Sequence, residues 1–417
     1  SKRFKVRKNF FPAENQSSIY IYRAYYDDRT IEGTIRIFAL SKCFLPNETF
    51  FMRSNGIILP LFIQPLEGSC PWSYAKSCDW NAHHLQSPKI SGLIPEKVRM
   101  HLELPDNCFC RYRLCSRVVE PSTFPLRRDL RWFLTLSRLI LFFELWSSHS
   151  PNFIIYANSY SRNVAKVLEY YEKQGIVQIV NWPVLNRSDD GVDPNAGIYR
   201  LSHSLAHNDC VMRMEAEIGG LVDIDEYIHI PGNATLLEFA KQKFESNTNL
   251  GSLMFTHRGL QPMEGTFDGL SHTESINATG PNKSIFKPAS VKFLSTHWVH
   301  THRPANLQRA KIAVQEGILL HNRVSFEDKD LKNAFASQFD DLDMVEIQQR
   351  AKQRSREIFG ENLPPHNEQV SHVMEKCNQN WRSMGCKVPL LQCRKELEKT
   401  DDWVFLPPSI DSHYEMM

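Results

Sequence analysis

Several things are missing from this chain of 417 residues, and each absence closes off a reading. There is no long hydrophobic run: the most apolar stretch, from Phe133 to Trp146, is too short to cross a bilayer and carries Arg138 and Glu144. A transmembrane helix within the chain is therefore not expected. Nor is there an excess of charge of either sign. A formal net charge of +2 argues against a strongly basic nucleic-acid binder and against a protein held on a membrane by charge. No internal repeat is visible, so a solenoid or propeller is not expected. The helical pattern His-Glu-x-x-His is absent, which counts against a zinc hydrolase built on His297, His300 and His302. The chain also opens on Ser1 and a basic run, Lys2 to Lys8, rather than on methionine or a signal peptide, so a removed signal peptide or membrane anchor upstream is the expectation.

What is present is ordinary for a globular protein, with 42% hydrophobic and 23% charged residues. The length allows two domains, or one large α/β domain with a smaller companion. Ten cysteines are many for a reducing compartment, and Cys70, Cys78, Cys108, Cys110 and Cys115 form a group. The Cys-x-Cys-x4-Cys spacing of the last three fits no common zinc template, so disulfides and a secretory route are expected. Six Asn-x-Ser/Thr triplets, at Asn15, Asn47, Asn186, Asn233, Asn277 and Asn282, agree with that route.

Strand-like segments separated by Pro, Gly and Asn turns occupy residues 18–116, at 19–22, 34–40, 56–59 and 97–104, and predict a small β domain stapled by the cysteine group. The run Ala24-Tyr25-Tyr26-Asp27-Asp28-Arg29 reads as a polar turn, either solvated or making a domain or sugar contact. A domain boundary is expected near residue 118. Arginines interrupt the pattern on either side of it, and a helix is expected over about 130–146. Residues 153–156 then form a buried-strand run. Val164, Val167, Leu168 and Tyr171 line one face of a helix over 162–174, Gly175 stands where a helix C-cap belongs, and 176–180 is the next strand. This is a βαβ unit. A helix over 199–214, a capping box opening at Thr235 and a strand at 253–255 continue the alternation, which defines an α/β domain.

The central motif is Leu221-Val222-Asp223-Ile224-Asp225-Glu226-Tyr227, an apolar strand that runs into carboxylates. In open α/β sheets ligands bind at the carboxyl ends of strands. Two aspartates two apart, on a tightening turn, can face one divalent cation such as Mg or Mn, which in turn can neutralise a diphosphate. A second Asp-x-Asp, at Asp341 and Asp343, lies in a polar helix-like run with no strand before it and is set aside. The long segment 258–289, rich in Gly, Ser, Thr and Asn, has the composition of an acceptor loop or lid.

In joint order, the segments FIIYANSYSRNVAKVLEYYEKQGIVQIVNW, LAHNDCVMRM, LVDIDEY, KSIFKPASVKFLSTHWVH and LLHNR cover most of residues 150–325, and YRAYYDDR extends the likeness towards the N-terminus. Together they resemble glycosyltransferase family 92. The resemblance implies a nucleotide-sugar glycosyltransferase A-type fold over about 119–325, a β-rich domain over 1–118 before it, and a helical segment and tail over 326–417. It implies a UDP-sugar donor with galactose favoured, Mn or Mg, and a glycan acceptor on glycoprotein or glycolipid. The setting would be the Golgi or secretory lumen, on a single-pass type II anchor lying outside this chain. By resemblance, Asp223 and Asp225 form the metal motif with His297 completing it and His300 as substitute, and Asn158 and Asn208 fall in donor-binding segments. If the reaction inverts, a carboxylate must take the acceptor's proton, and Glu264 and Asp268 are the candidates. His321 could reach the diphosphate or metal, though it reads more simply as a core-edge histidine, and Arg200 and Asn208 read more simply as helix-face residues than as uridine contacts. Two departures stand out: residues 118–136 are charge-broken where a first strand and nucleotide loop are expected, and Gly219-Gly220 replaces bulkier residues before the acidic motif. An inactive, glycan- or protein-binding member of the family is the alternative reading.

Overall fold

The structure, a computed structural model, describes residues 2–4, 19–29, 33–43, 50–54, 57–66, 77–90, 113–117, 133–186, 193–261, 274–276, 280–322, 334–336, 344–365, 367–379, 386, 389–409 and 412–416. The N-terminal strands are β1 (Lys2–Phe4), β2 (Ile19–Asp27), β3 (Thr34–Lys42), β4 (Phe50–Ser54), β5 (Ile57–Pro65) and β6 (Trp80–Gln86). They form one antiparallel sheet in the order β1-β2-β3-β6-β5-β4, and the C-terminal strand Glu415–Met416 also pairs with β2. The strand expected over 97–104 lies outside the described residues.

The α/β part starts earlier than its sequence pattern suggests. Strand β7 (Arg113–Arg117) ends just before the boundary expected at residue 118, and it runs in the middle of the second sheet. Helix α1 (Phe133–Trp146), β8 (Asn152–Ala157), β9 (Ser159–Ser161), α2 (Arg162–Lys173) and β10 (Val177–Asn181) come next. Strands β8 and β10 are parallel, Phe153 opposite Val177, which makes the expected βαβ unit. Ser161 caps α2 through Val164 N–H, and Gly175 takes a positive φ of 71° just past the helix, the conformation that favours glycine there.

The chain continues through α3 (His203–Arg213), β11 (Gly219–Asp223), β12 (Glu226–His229), α4 (Leu236–Ser246), β13 (Leu250–Phe255), β14 (His257–Gln261), β15 (Glu274–Ile276), β16 (Lys283–Phe286), β17 (Val291–Leu294), β18 (Val299–His302), β19 (Gln308–Lys311), β20 (Ile318–Asn322) and β21 (Ala334–Ala336). The helix expected over 199–214 is a 3-10 turn up to Ser202 and then α3, because Arg200, Leu201 and Ser202 adopt positive φ. Thr235 and Glu238 make the expected capping box on α4. Helices α5 (Met344–Phe359), α6 (Glu368–Gln379) and α7 (Pro389–Leu397) close the chain with β22 (Trp403–Phe405) and β23, the strand already met beside β2.

The central sheet runs β10-β8-β7-β11-β16-β13-β19. Its first four strands are parallel, so their carboxyl ends share one edge. A smaller sheet, β12-β20-β14-β15-β21, stands beside it. Together these form an α/β glycosyltransferase A-like fold preceded by a β-rich domain. Residues of β8 alternate between two cores, as the period of two in a strand requires. Phe153, Ile155 and Ala157 join α1, α2 and α4, while Ile154 and Tyr156 join residues of the N-terminal sheet, α3, α6 and α7. The second core is thus shared by the N-terminal sheet, the α/β sheet and the C-terminal helices.

Two buried carboxylates of this interior are matched by basic and hydroxyl partners. Glu144, inside the apolar run, accepts from Tyr171 at 2.8 Å and faces Arg354 at 3.3 Å and Arg350 at 3.5 Å. Asp209 pairs with Arg213 at 2.5 Å and accepts from Tyr156 at 2.6 Å and from Tyr25 of the N-terminal sheet. Cys78 is bonded not within the N-terminal group but to Cys386, 308 residues away, and Cys377 is bonded to Cys393. Cys70, Cys108 and Cys110 lie outside the described residues. Of the glycosylation triplets, Asn186 and Asn233 are exposed, Asn282 Oδ1 accepts from His257 N–H at 3.1 Å, and Asn15, Asn47 and Asn277 lie outside the described residues. No helix among the described residues is long and apolar enough to cross a membrane.

The segment 24–29 differs from expectation. Strand β2 runs through to Asp27, so the run is buried strand up to that residue rather than a solvated turn. The expected pair of Asp27 with Arg29 is there at 2.7 Å, joined by Arg36 at 3.2 Å and by Arg303 at 2.7 Å from beyond β18. Arg29 also donates to Pro288 O at 2.7 Å and Arg36 to Lys292 O at 2.6 Å. This is the domain contact, and it ties the N-terminal sheet to the hairpin β17–β18.

Candidate active site at the end of strand β11

Strand β11 lies between β7 and β16, and at Asp223 it reaches the carboxyl edge of the central sheet. Ile224 and Asp225 form a turn, and the chain leaves as β12 for the smaller sheet. The acidic motif therefore sits where the chain passes between the two sheets, at a strand end as its sequence pattern predicts. The Gly219 departure has a local cause: a Cβ there would stand 2.3 Å from Met214 Sδ, so Met214 fills the space a larger residue would need.

The neighbouring strands set the partner of each carboxylate. Strand β16 lies antiparallel to β11 and brings Lys283, whose side chain is 1% exposed. Its Nζ is 2.9 Å from Asp223 Oδ2 and 3.4 Å from Glu226 Oε2, and it donates to Thr296 O at 3.4 Å. Glu226 also accepts from Asp223 N–H at 2.8 Å. Burial pushes the Glu226 carboxyl up to about 7 against the opposing pull of Lys283, with Asp223 adding to the rise. Burial alone would lower the Lys283 ammonium, but Asp223 and Glu226 outweigh it and hold it above the usual lysine range.

Asp225 is held differently. Strand β20 pairs antiparallel with β12, setting His321 opposite Glu226, and His321 Nε2 lies 2.9 Å from Asp225 Oδ2. His321 Nδ1 meets His257 Nε2 at 2.9 Å, with His257 on the neighbouring strand β14. Burial would lower His321, but Asp225 outweighs it and raises the imidazole above its ordinary value. Arg138 of α1, the residue that broke the apolar run, feels the charge of Asp225, and its Nε and Nη2 are buried without a hydrogen-bond partner among the described residues.

Of the expected metal trio, Asp223 pairs with Lys283, Asp225 with His321, and His297 lies within reach of the charges of Asp223 and Lys283. Among the described residues no three His, Cys, Asp or Glu side chains gather as a metal cluster. The Lys283 ammonium takes one oxygen of Asp223, whose side chain is otherwise half-exposed. His297 lies in the turn between β17 and β18, where burial, with Lys283 beside it, lowers the imidazole to about 4. Its Nδ1 is buried without a partner among the described residues, and Lys283, Asp223 and Arg200 set its charge environment. The histidine in contact with Asp225 is His321, which by sequence alone could reach the diphosphate or metal but reads more simply as a core-edge residue. A carboxylate oxygen suits Mg or Mn, and an imidazole joins it only as the neutral ring, so His321 would have to give up its hydrogen bond to Asp225 to serve as a ligand. With two protein donors, Asp225 and His321 could hold such a cation provided that phosphate oxygens and water supply the remaining ligands, the usual case for Mg. The signal that could have found His321 is strand pairing, which one sequence does not display.

Asn158, in the bend after β8, is on the same sheet edge as Asp223, two strands away, which is about 10 Å. Its Nδ2 donates to Trp182 O at 2.9 Å and its carbonyl accepts from Leu406 N–H at 2.9 Å. Asn208 is buried on α3, where Nδ2 donates to Ser204 O and Leu294 O, each at 2.8 Å, and Oδ1 accepts from Leu294 N–H at 2.9 Å. Its amide is spent on holding β17 to α3. Asn208→Ala is therefore expected to destabilise the fold by about 1–3 kcal/mol, read from urea unfolding, by stripping Leu294 of both partners. An unchanged midpoint would show that the brace does not matter. Glu264, Asp268 and the segment 118–132 lie outside the described residues.

The model of glycosyltransferase family 92 matches residues 131–362, a span that takes in α1, the βαβ unit, the acidic turn, His297 and His321. The chain belongs to glycosyltransferase family 92. As a member it is an enzyme, a transferase of glycosyl groups. Solved structures with similarity to this family 92 chain include residues 1–349 of Staphylococcus aureus TarS in complex with UDP-GlcNAc. That pair shares 11% identity at a TM-score of 0.31, covering 65% of this chain and 72% of the other. A cytidylyltransferase from Leptospira borgpetersenii shares 11% identity at a TM-score of 0.27, covering 61% of this chain and 98% of the other. No curated protein matches.

Proposed function

We propose that this family 92 enzyme transfers a sugar, with galactose favoured, from a UDP-sugar to a glycan acceptor in the lumen of the secretory pathway, using Mn or Mg. The observation that carries the reading is the turn Asp223-Ile224-Asp225 at the carboxyl edge of the parallel strands, with Asp225 in contact with His321. Sugar transfer from a nucleoside diphosphate requires the departing diphosphate to be neutralised as the anomeric bond breaks. A divalent cation, when bound, supplies that neutralisation as a Lewis acid.

The chain's own residues do the rest. Asp225 and His321 are assigned the cation, and His257 holds His321 in register behind it. Lys283 and Glu226 fix Asp223 at the rim. Arg138, whose Nε and Nη2 have no hydrogen-bond partner among the described residues, is assigned to an anion beside Asp225. Glu264 and Asp268 remain the carboxylates assigned to take the acceptor's proton. The disulfides support a lumenal setting.

Calorimetric titration with UDP, with and without manganese, tests the donor reading. Saturable binding that requires manganese is expected. A well-folded chain that binds no UDP under either condition would overturn the donor reading and favour an inactive binding protein.

A further inference from the structure

Trp298 stands out among the exposed large apolar residues, which otherwise include Phe51, Phe62, Val314 and Val345. It is 38% exposed, and it lies in the turn between β17 and β18. Two residues before it, Thr296 O accepts from the Lys283 ammonium that holds Asp223, and Thr296 Oγ1 meets His203 Nε2 at 3.0 Å. The indole is thus attached, through a short and braced piece of chain, to the centre assigned above.

The turn is well fastened. Ser295 N–H donates to Trp298 O at 3.0 Å and Ser295 Oγ to the same oxygen at 3.1 Å. The guanidinium of Arg309, on the edge strand β19, lies over the indole with its carbon 5.7 Å from the ring centroid. Arg309 Nη2 donates to Val299 O at 2.5 Å, which fixes the arginine to the hairpin and so fixes the ring. A large exposed aromatic ring held in place at a loop tip, with a guanidinium on it and exposed His300 nearby, is unlike an apolar protein-docking patch. It suits an amphipathic ligand that presents C–H groups to a ring face and hydroxyls to polar neighbours, and a pyranose is such a ligand.

We propose that Trp298 is the stacking platform for a sugar ring of the acceptor, with Arg309 as the residue that orients the indole. The inference rests on the transferase reading of the β11 site and adds the place where the acceptor docks. Holding the acceptor ring on a fixed surface beside the donor turns a two-substrate encounter into a local one. Trp298 is then a positioning residue for the acceptor and has no part in donor binding.

The test uses the full chain and four probes: the methyl glycosides of galactose, N-acetylglucosamine, mannose and fucose. Binding of each is followed by saturation-transfer NMR, and binding of UDP is followed by calorimetry in parallel. At least one glycoside is expected to bind the wild-type chain saturably, and Trp298→Ala is expected to weaken it by about tenfold, the effect of losing about 1.4 kcal/mol. Trp298→Phe is expected to recover most of that loss, and UDP binding is expected to be the same in all three chains. Equal glycoside binding by the wild type and Trp298→Ala would overturn the platform, as would no glycoside binding by a chain that binds UDP. Loss of UDP binding by the wild type would instead strike the donor reading, while the glycoside arm still reports on Trp298.

Discussion

Asp225→Ala is expected to lower kcat/KM for sugar transfer by about 10²–10³-fold, the scale seen when a group that stabilises developing transition-state charge is removed. The effect has a local origin. Asp225 lies on a two-residue turn rather than inside a strand, and its carboxylate contacts His321, which is in turn held by His257. Removing the carboxylate takes away an oxygen donor and also the counter-charge of His321 and Arg138, so a moderate loss of thermal stability is expected in a chain that still folds. His257→Ala, one step further back, is expected to cost less, about 10–100-fold, as is usual for a residue that orients a ligand from behind. Steady-state kinetics on the purified chain, with unfolding curves as control, decide the matter. Near-wild-type turnover by a folded Asp225→Ala enzyme would remove Asp225 from the mechanism.

Asp27→Ala is expected to have the largest effect on stability, about 3–5 kcal/mol, which is a large part of what holds a typical domain together. Asp27 is fully buried and pairs with Arg29, Arg36 and Arg303. Taking it away leaves guanidinium groups facing one another with no anion between them, and Arg36 is itself almost fully buried. The pH dependence has a definite sign. Burial alone would raise the Asp27 carboxyl, but the arginines outweigh it and hold it well below the usual carboxylate range. A depressed folded value means that Asp27 contributes its full stabilisation above the unfolded value of about 4 and loses it as pH falls towards the folded one. The gap in unfolding free energy between wild type and Asp27→Ala should therefore hold steady from about pH 7 to 5 and narrow below about pH 4. A gap that widens on acidification would mean that the arginine cluster does not need this carboxylate. Because Arg29 and Arg36 also hold Pro288 O and Lys292 O, the variant is expected to loosen the hairpin that carries His297 and Trp298.

Much of the fold is legible in the sequence because local chemistry and tertiary structure agree. The alternation of apolar residues in 153–156, the helical spacing of Val164, Val167, Leu168 and Tyr171, Gly175 after the helix and the Thr235 capping box all act over a few residues. Where local and long-range forces differ, the sequence pattern misleads. Residues 24–27 look like a polar turn because Asp27 is charged, but the chain continues as strand because arginines 2, 9 and 276 residues further on neutralise it. LAHNDCVMRM looks like a donor-binding segment, yet Asn208, Asp209 and Arg213 are spent on holding α3 to β17, β8 and the N-terminal sheet.

By itself the sequence determined that this is an α/β chain with a β-rich N-terminal part, that Asp223 and Asp225 end a buried strand, and that the family is glycosyltransferase family 92. The first two rest on residues that are neighbours in the chain, and the third on motifs in joint order along it. The tertiary structure decided which partner each carboxylate takes: Lys283 for Asp223, His321 for Asp225, and three arginines for Asp27. It also joined Cys78 to Cys386 and tied the turn that carries Trp298 to Lys283 through Thr296 O. These pairings depend on which strands lie side by side, and burial then makes each buried charge find its counter-ion among whatever those strands bring within reach.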